Sequence, residues 1–205
     1  MAEILERPNL AAFERQLRDL DLPLVRYLRP GLSAAELDAG ELRLGFQLPH
    51  EARIWFGWHD GVDLAPWPPE QTLGSLQFLT LEDAIGSCHQ NREIAVAGAD
   101  GDEGLADAFW KPRWLALAVP GYGVNVVIDC SGAIDAPVPV YIVDFQNPDQ
   151  AAAPRCASMK ELVLRWSSGL ERGSWSWNIR TRNWDVRVGD VPDDEADALA
   201  LLGGA

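Results

Sequence analysis

Residues 109–132 read FWKPRWLALAVPGYGVNVVIDCSG, and this stretch decides the fold class. Two apolar runs, Trp114–Val119 and Val124–Asp129, are short and rich in Val, Leu and Ile, which suits buried strands. Pro120-Gly121-Tyr122-Gly123 lies between them with the chemistry of a tight turn, and Cys130-Ser131-Gly132 supplies the next turn. Val138–Phe145 is a third run of β-branched and aromatic residues, and Leu73–Leu79 contains a short strand ahead of the others. Short strands joined by turns assemble most economically as an antiparallel meander, because parallel pairs need long crossovers.

Helical signals flank these strands. Leu10, Phe13, Leu17 and Leu20 share one face of a helix over 10–20, with Asn9 as its N-cap. Pro23 opens a short helix through Leu28, stopped by Pro30-Gly31. Ser33 and Glu36 form a capping box for a helix to about Leu44, with Gly45 in the left-handed position after it. Pro49 opens a helix over 50–59 that carries Ile54, Trp55 and Trp58. Thr80 starts another, to about Arg92, and residues 98–107 (GADGDEGLAD) read as an acidic, glycine-rich loop. Ser158 and Glu161 are a second capping box, for a helix to about Leu170 with Leu162, Val163 and Trp166 inward. Trp175–Trp177 and Trp184–Val188 alternate like a hairpin, and Pro192 starts an acidic C-terminal helix.

Helices, then strands, then a helix and a hairpin make an α+β protein rather than a doubly wound one. The expectation is a single domain: an antiparallel sheet of at least four strands wrapped by helices. Within it, residues 1–30 form an N-terminal helical segment and 31–172 the main α+β body. Residues 173–205 add the hairpin and acidic helix, packed on the same domain. A chain of 205 residues with 47% apolar content is long enough for one such core.

The net charge is −14, which disfavours nucleic-acid phosphates and anionic membrane surfaces as partners. Residues 51–110 carry 11 acids and only Arg53 and Arg92, net −9, and residues 190–205 carry five acids and no base. Solubility is one reading of that clustering, and steering of a basic partner is the other. Cys88, Cys130 and Cys156 are an odd number at spacings that fit no metal motif, as expected of reduced thiols in the cytoplasm. MAEILERPNL lacks the apolar core of a signal peptide, and no apolar run approaches the roughly 20 residues of a membrane span.

Catalytic motifs are absent. The sequence has no G-x-S-x-G, no phosphate loop, no H-E-x-x-H, and no glycine-rich turn leading from a strand into a helix. His50, His59 and His89 have no nucleophile or carboxylate at a spacing that makes a dyad, so no enzyme, metal or cofactor is expected. Trp55, Trp58, Trp110 and Trp114 read as core, and Gly61 as a residue needing positive φ. Trp67, in the Pro-rich loop beside Asp60, Asp63 and Glu70, is a candidate contact, since loops carry binding residues. Asp100, Asp102, Glu103 and Asp107 are candidates to meet a basic partner, or else line a solvated loop.

Four blocks together resemble the SUKH superfamily, the Smi/Knr cell-wall-assembly regulators. Residues 28–61, LRPGLSAAELDAGELRLGFQLPHEARIWFGWHDG, match its capped helix, Gly-x-x-Leu-Pro and aromatic "whdG" ending through Gly45, Leu48, Pro49, Trp55, Trp58, His59, Asp60 and Gly61. LTLEDAI (79–85) is similar to its "sLeea" helix start. FWKPRWLALAVPGYGVNVVIDCSG resembles its strand pair through Trp110, Trp114, Gly123 and Asp129, although Leu117-Ala118 lacks the usual proline and Pro120 lies further on. ASMKELVLRW (157–166) is similar to its late helix. The resemblance covers about 25–172. It implies a helix-wrapped sheet used for protein binding. Bacterial members are associated with immunity to polymorphic toxins, and fungal members with cell-wall signalling. Two functions follow as expectations: a cytoplasmic immunity protein that neutralises a basic toxin domain, or a regulatory scaffold of the same fold with no toxin.

Overall fold

The computed structural model describes residues 2–63, 68–121, 124–144 and 153–186. Helix α1 (Arg7–Asp19) buries Leu10, Phe13 and Leu17. It starts earlier than its apolar spacing suggests. Glu6 is the N-cap, and Asn9, inside the first turn, accepts the Glu6 N–H on its side chain at 3.0 Å. Pro8 sits in that turn, where its missing N–H costs nothing. A 3₁₀ turn spans Pro23–Arg26. Helix α2 (Ala34–Leu44) has the expected capping box: the Glu36 carboxylate takes the Ser33 N–H at 2.8 Å and the Ser33 hydroxyl takes that of Glu36. It ends on Gly45 at φ 75°.

Helix α3 (His50–Trp58) buries Glu51, Ala52, Trp55 and Phe56. A second 3₁₀ turn, Pro69–Gln71, precedes β1 (Gln77–Phe78), shorter than the apolar run around it because Leu73 and Leu76 pair with each other. Helix α4 (Leu81–Gly98) outruns its expected end at Arg92, since nothing before the left-handed pair Asp100-Gly101 breaks it. Residues 103–109 are not loop but α5 (Glu103–Phe109), because the Asp102 carboxylate caps Leu105 N at 3.1 Å and Ala106 packs inward.

Strands β2 (Trp114–Gly121), β3 (Val124–Asp129) and β4 (Val140–Asp144) form the meander. With β1 they make a four-stranded antiparallel sheet in the order β1-β2-β3-β4, in which Leu115 faces Ile128 and Val126 faces Ile142. The register shifts between Ala116 and Ala118, where the Leu117 carbonyl turns to accept the Leu79 N–H at 2.9 Å. Helix α6 (Met159–Glu171) is capped by Ser158, and β5 (Trp175–Asn178) pairs with β6 (Asn183–Val186) as the expected hairpin. The helix expected from Pro192 and most of the Gly121–Gly123 turn lie outside the described residues.

The protein is therefore a single α+β domain. An aromatic knot joins its layers: Trp55 meets Phe78 at 5.2 Å between centroids, Phe78 stacks on Trp166 at 5.5 Å, and Trp166 reaches Phe13 on α1 at 6.2 Å. Trp110 and Trp114 form a second centre with Tyr141, and both are buried. Among the described residues, no helix is long and apolar enough to cross a membrane.

Candidate partner-binding surface

The acidic residues singled out in the sequence fall into two groups, one at each end of α4. The first begins where α3 ends. The Arg29 N–H donates to the Gly61 carbonyl at 2.9 Å and Val62 N–H to Phe78 O at 3.1 Å, which threads residues 59–62 between two segments. Gly61 is not the cap of α3, which is His59. It is required for a different reason. At φ 60°, a Cβ would stand 2.4 Å from the Leu79 carbonyl carbon and oxygen.

Asp60 is consequently turned inward and is only 6% exposed. One carboxylate oxygen accepts the Leu81 N–H at 2.8 Å, at the start of α4, where the helix dipole favours a negative charge. The other has Arg29 Nε at 3.5 Å. Burial pushes this carboxyl up, against the pull of the Leu81 bond and Arg29. Asp63, in contrast, is exposed and holds Arg29 Nη1 at 2.6 Å. Arg29 is thus held between two carboxylates, and the hydrogen bond to Asp63 is the main reason its guanidinium is held above the usual range.

Trp67 lies outside the described residues. The loop is anchored just after it. Glu70 is buried and accepts Arg182 Nε at 2.6 Å, and Trp184 Nε1 donates to the Pro69 carbonyl at 3.2 Å. The β5–β6 hairpin thus clamps the second 3₁₀ turn.

The second group stands past the other end of α4, about 27 Å along an 18-residue helix rising 1.5 Å per residue. Asp102 caps α5. Asp107 takes Arg92 Nη1 at 2.6 Å, and the same nitrogen reaches the Trp110 carbonyl at 2.7 Å. Asp100 and Glu103 are left facing solvent. The seven described acids therefore form two groups separated by α4, with four of them (Asp60, Asp63, Glu70 and Asp107) in ion pairs with arginine.

The residues that carry the family resemblance sit at joints of the fold. Gly45 and Gly61 supply left-handed turns, Trp55, Trp110 and Trp114 are core, and Leu48 and Pro49 are buried at the start of α3. Trp58 is half-buried and donates Nε1–H to Glu14 at 2.9 Å. Asp129, at the end of β3, accepts the Ser131 N–H at 3.0 Å, closing the next turn. Gly123 lies outside the described residues.

The groups most suited to chemistry are dispersed. His50 and His89 are exposed on separate helices. His59 donates Nδ1–H to the Arg29 carbonyl at 2.7 Å and presents Nε2 to Glu14 at 3.5 Å. Burial works to raise the Glu14 carboxyl, but hydrogen bonds from Arg18 and Trp58 and the charge of His59 outweigh it and hold the group low. Burial pushes all three thiols up, Cys156 to about 12. Such thiols hold their protons and are poor nucleophiles. Among the described residues, no three of His, Cys, Asp and Glu are grouped to hold a metal ion.

Sequence reasoning passed over Glu51, the most enclosed acid among the described residues, which sits on the buried face of α3 with 0% exposure. Its one signal is position: an acid immediately before Ala52 and on the same turns as Trp55 and Phe56. No family model matches the chain, and no curated protein matches it either.

Proposed function

We propose that this chain is a non-enzymatic protein-binding domain of SUKH type, and that it serves in the cytoplasm as an immunity protein that holds and neutralises a cognate polymorphic toxin. One observation carries the reading: the residues of the resemblance fall where this fold needs them. Gly61 fits against Leu79 where no side chain would, and Trp55 and Trp114 centre the two aromatic clusters. The order of capped helix, aromatic helix, strand pair and late helix is then an order of parts in one α+β domain. Supporting it, Asp100 and Glu103 present acid to solvent at one end of α4 and Asp63 at the other, which suits a basic partner such as a nuclease toxin domain.

The test is co-expression. An immunity role requires a polymorphic toxin domain encoded directly upstream of this chain's gene, and the test pairs the chain with that domain; a gene with no toxin beside it would favour the regulatory scaffold. Cells making the toxin domain should survive only when this chain is made too, and the two proteins should purify as a stoichiometric complex. Killing that is equally efficient with and without the chain would overturn the immunity reading and favour the regulatory scaffold.

A further inference from the structure

We propose that the groove between α2 and α4 is a receptor for one arginine side chain of a protein partner. The cavity there encloses about 200 Å³. Pockets for drug-sized ligands begin at about 300 Å³, so this one suits a single extended side chain. Leu32, Leu81 and Ile85 line it with apolar surface that would cover an alkyl stem. Gly40 lets the two helices close to this spacing, since a Cβ there would stand 2.5 Å from Leu81 Cδ2.

The polar end sets three carboxylates against one guanidinium. Asp60 lies in the lining with one oxygen on the Leu81 N–H. Its other oxygen has Arg29 at 3.5 Å, because Arg29 makes its short contact with Asp63 instead. Arg29 thus divides its charge between two carboxylates, and the buried Asp60 gains from a further cation that enters the groove. Glu36 and Glu82 stand in the same lining. Arg43, the cation there, is already bound through both guanidinium nitrogens to Glu82, with Nη2 at 2.7 Å from Oε1. Within the groove three carboxylates, one of them shared with Arg29 behind it, thus face one committed guanidinium. Glu36 spends one oxygen, Oε2, on its Ser33 cap. A guanidinium entering the groove would offset the remaining surplus of negative charge, and its planar fork can address two carboxylates together, which an ammonium does less well.

That the cation belongs to a protein rests on the protein-binding reading above; the affinity of the groove for it does not. The full, isotope-labelled chain would be titrated with N-acetyl-arginine amide and followed through its amide resonances. Shifts should concentrate at Gly40, Leu81 and Glu82 and weaken with added salt, while N-acetyl-norleucine amide should leave them unmoved. Ala39→Phe, at the exposed mouth of the groove, should abolish the shifts without altering the melting temperature. Absence of groove-centred shifts, or their persistence in Ala39→Phe, would overturn the proposal. So would shifts from spermidine with none from the arginine probe, which would make the ligand a free amine. In complex with the toxin, Ala39→Phe should weaken binding by about tenfold, as loss of a charged hot-spot contact does. A groove that binds the probe while the toxin ignores Ala39→Phe would refute the partner assignment and leave the immunity reading standing.

Discussion

The Glu51 carboxylate accepts the backbone N–H of Val138 at 2.6 Å, across 87 residues of sequence. The same side chain accepts the N–H groups of Leu5, of Met159 at 3.4 Å and of Lys160 at 3.3 Å. Three segments, the N-terminal strap, the entry to β4 and the first turn of α6, therefore meet on one buried acid. Its countercharge is backbone N–H and the positive end of α6 rather than a cationic side chain. Glu51→Gln keeps the shape but puts an amide donor where an acceptor is needed. It should lower stability by about 3 kcal/mol, the scale for a charge-assisted bond replaced by unsatisfied donors. Denaturant unfolding would show it, and an unchanged midpoint would mean that Glu51 is not the tie between these segments.

Gly45 and Gly61 make a second, comparative case. Both are left-handed, at φ 75° and 60°, but a Cβ at Gly45 would meet nothing within 4 Å whereas one at Gly61 would strike the Leu79 backbone. Gly45→Ala should cost only the left-handed penalty, about 1–2 kcal/mol. Gly61→Ala should cost distinctly more, or prevent folding, because the clash is with main chain that cannot rotate away. Equal melting temperatures for the two variants would contradict the close approach at Leu79.

Trp114 is 1% exposed, stands 5.2 Å from Tyr141, and carries Lys111 Nζ 5.0 Å above its ring. Trp114→Ala should cost about 3–5 kcal/mol, the usual range for a buried aromatic removed to alanine. Calorimetry of the purified variant measures this directly, and a melting temperature like that of the parent would move the core elsewhere.

Much of this architecture is local and could be read from the sequence. The Ser33–Glu36 box and the Ser158 cap each lie within one turn, Gly45 follows its helix at once, and β2 to β4 are neighbours in the chain. The second box is not closed, because Glu161 takes the Ala157 N–H rather than that of Ser158. What escaped is what only the fold brings together. Glu51 reaches partners 46 to 109 residues away, and Glu70 meets Arg182 across 112. Helix α5 escaped because its composition is that of a loop, and packing of Ala106 together with the Asp102 cap outweighs those propensities. The division of the acidic segment into two groups was not legible either, because it follows from the length of α4 and from arginines of distant segments that pair with Asp60, Asp63 and Glu70.

The Asp60 carboxyl gives a pH signature of known sign. Burial raises it in the folded state, so the folded protein holds this proton more tightly than the unfolded chain does. Above the usual aspartate value, about 3.9, the ionised group therefore costs stability, and the cost grows until the raised value is passed. Asp60→Asn keeps an acceptor for the Leu81 N–H and removes the charge. The variant and the parent should match below the window and diverge in the variant's favour as pH rises through it. Divergence of opposite sign would show that Arg29 dominates burial. The groups held low, Glu14 and Glu161 among them, act oppositely and lose their contribution as pH falls.

The structure also sharpens how surface charge would be tested against a basic partner. Asp102 caps α5 and Asp107 holds Arg92, so reversing either removes an interaction within the fold along with the charge. Asp100 and Glu103 face solvent, and their reversal removes no side-chain bond within the fold, leaving only the smaller costs of a Lys at the left-handed Asp100 position and at the first turn of α5. The double variant Asp100→Lys, Glu103→Lys should still unfold cooperatively, slightly below the parent's temperature, and associate with the toxin more slowly, with little change in dissociation, since rim charges act on encounter. The parent's on-rate should fall as salt rises and screens those charges. Stopped-flow association at low and high salt decides it. An on-rate indifferent to both salt and the double reversal would mean that this end of α4 does not face the partner, and would leave Asp63 and the groove between α2 and α4 as the acidic surface that does.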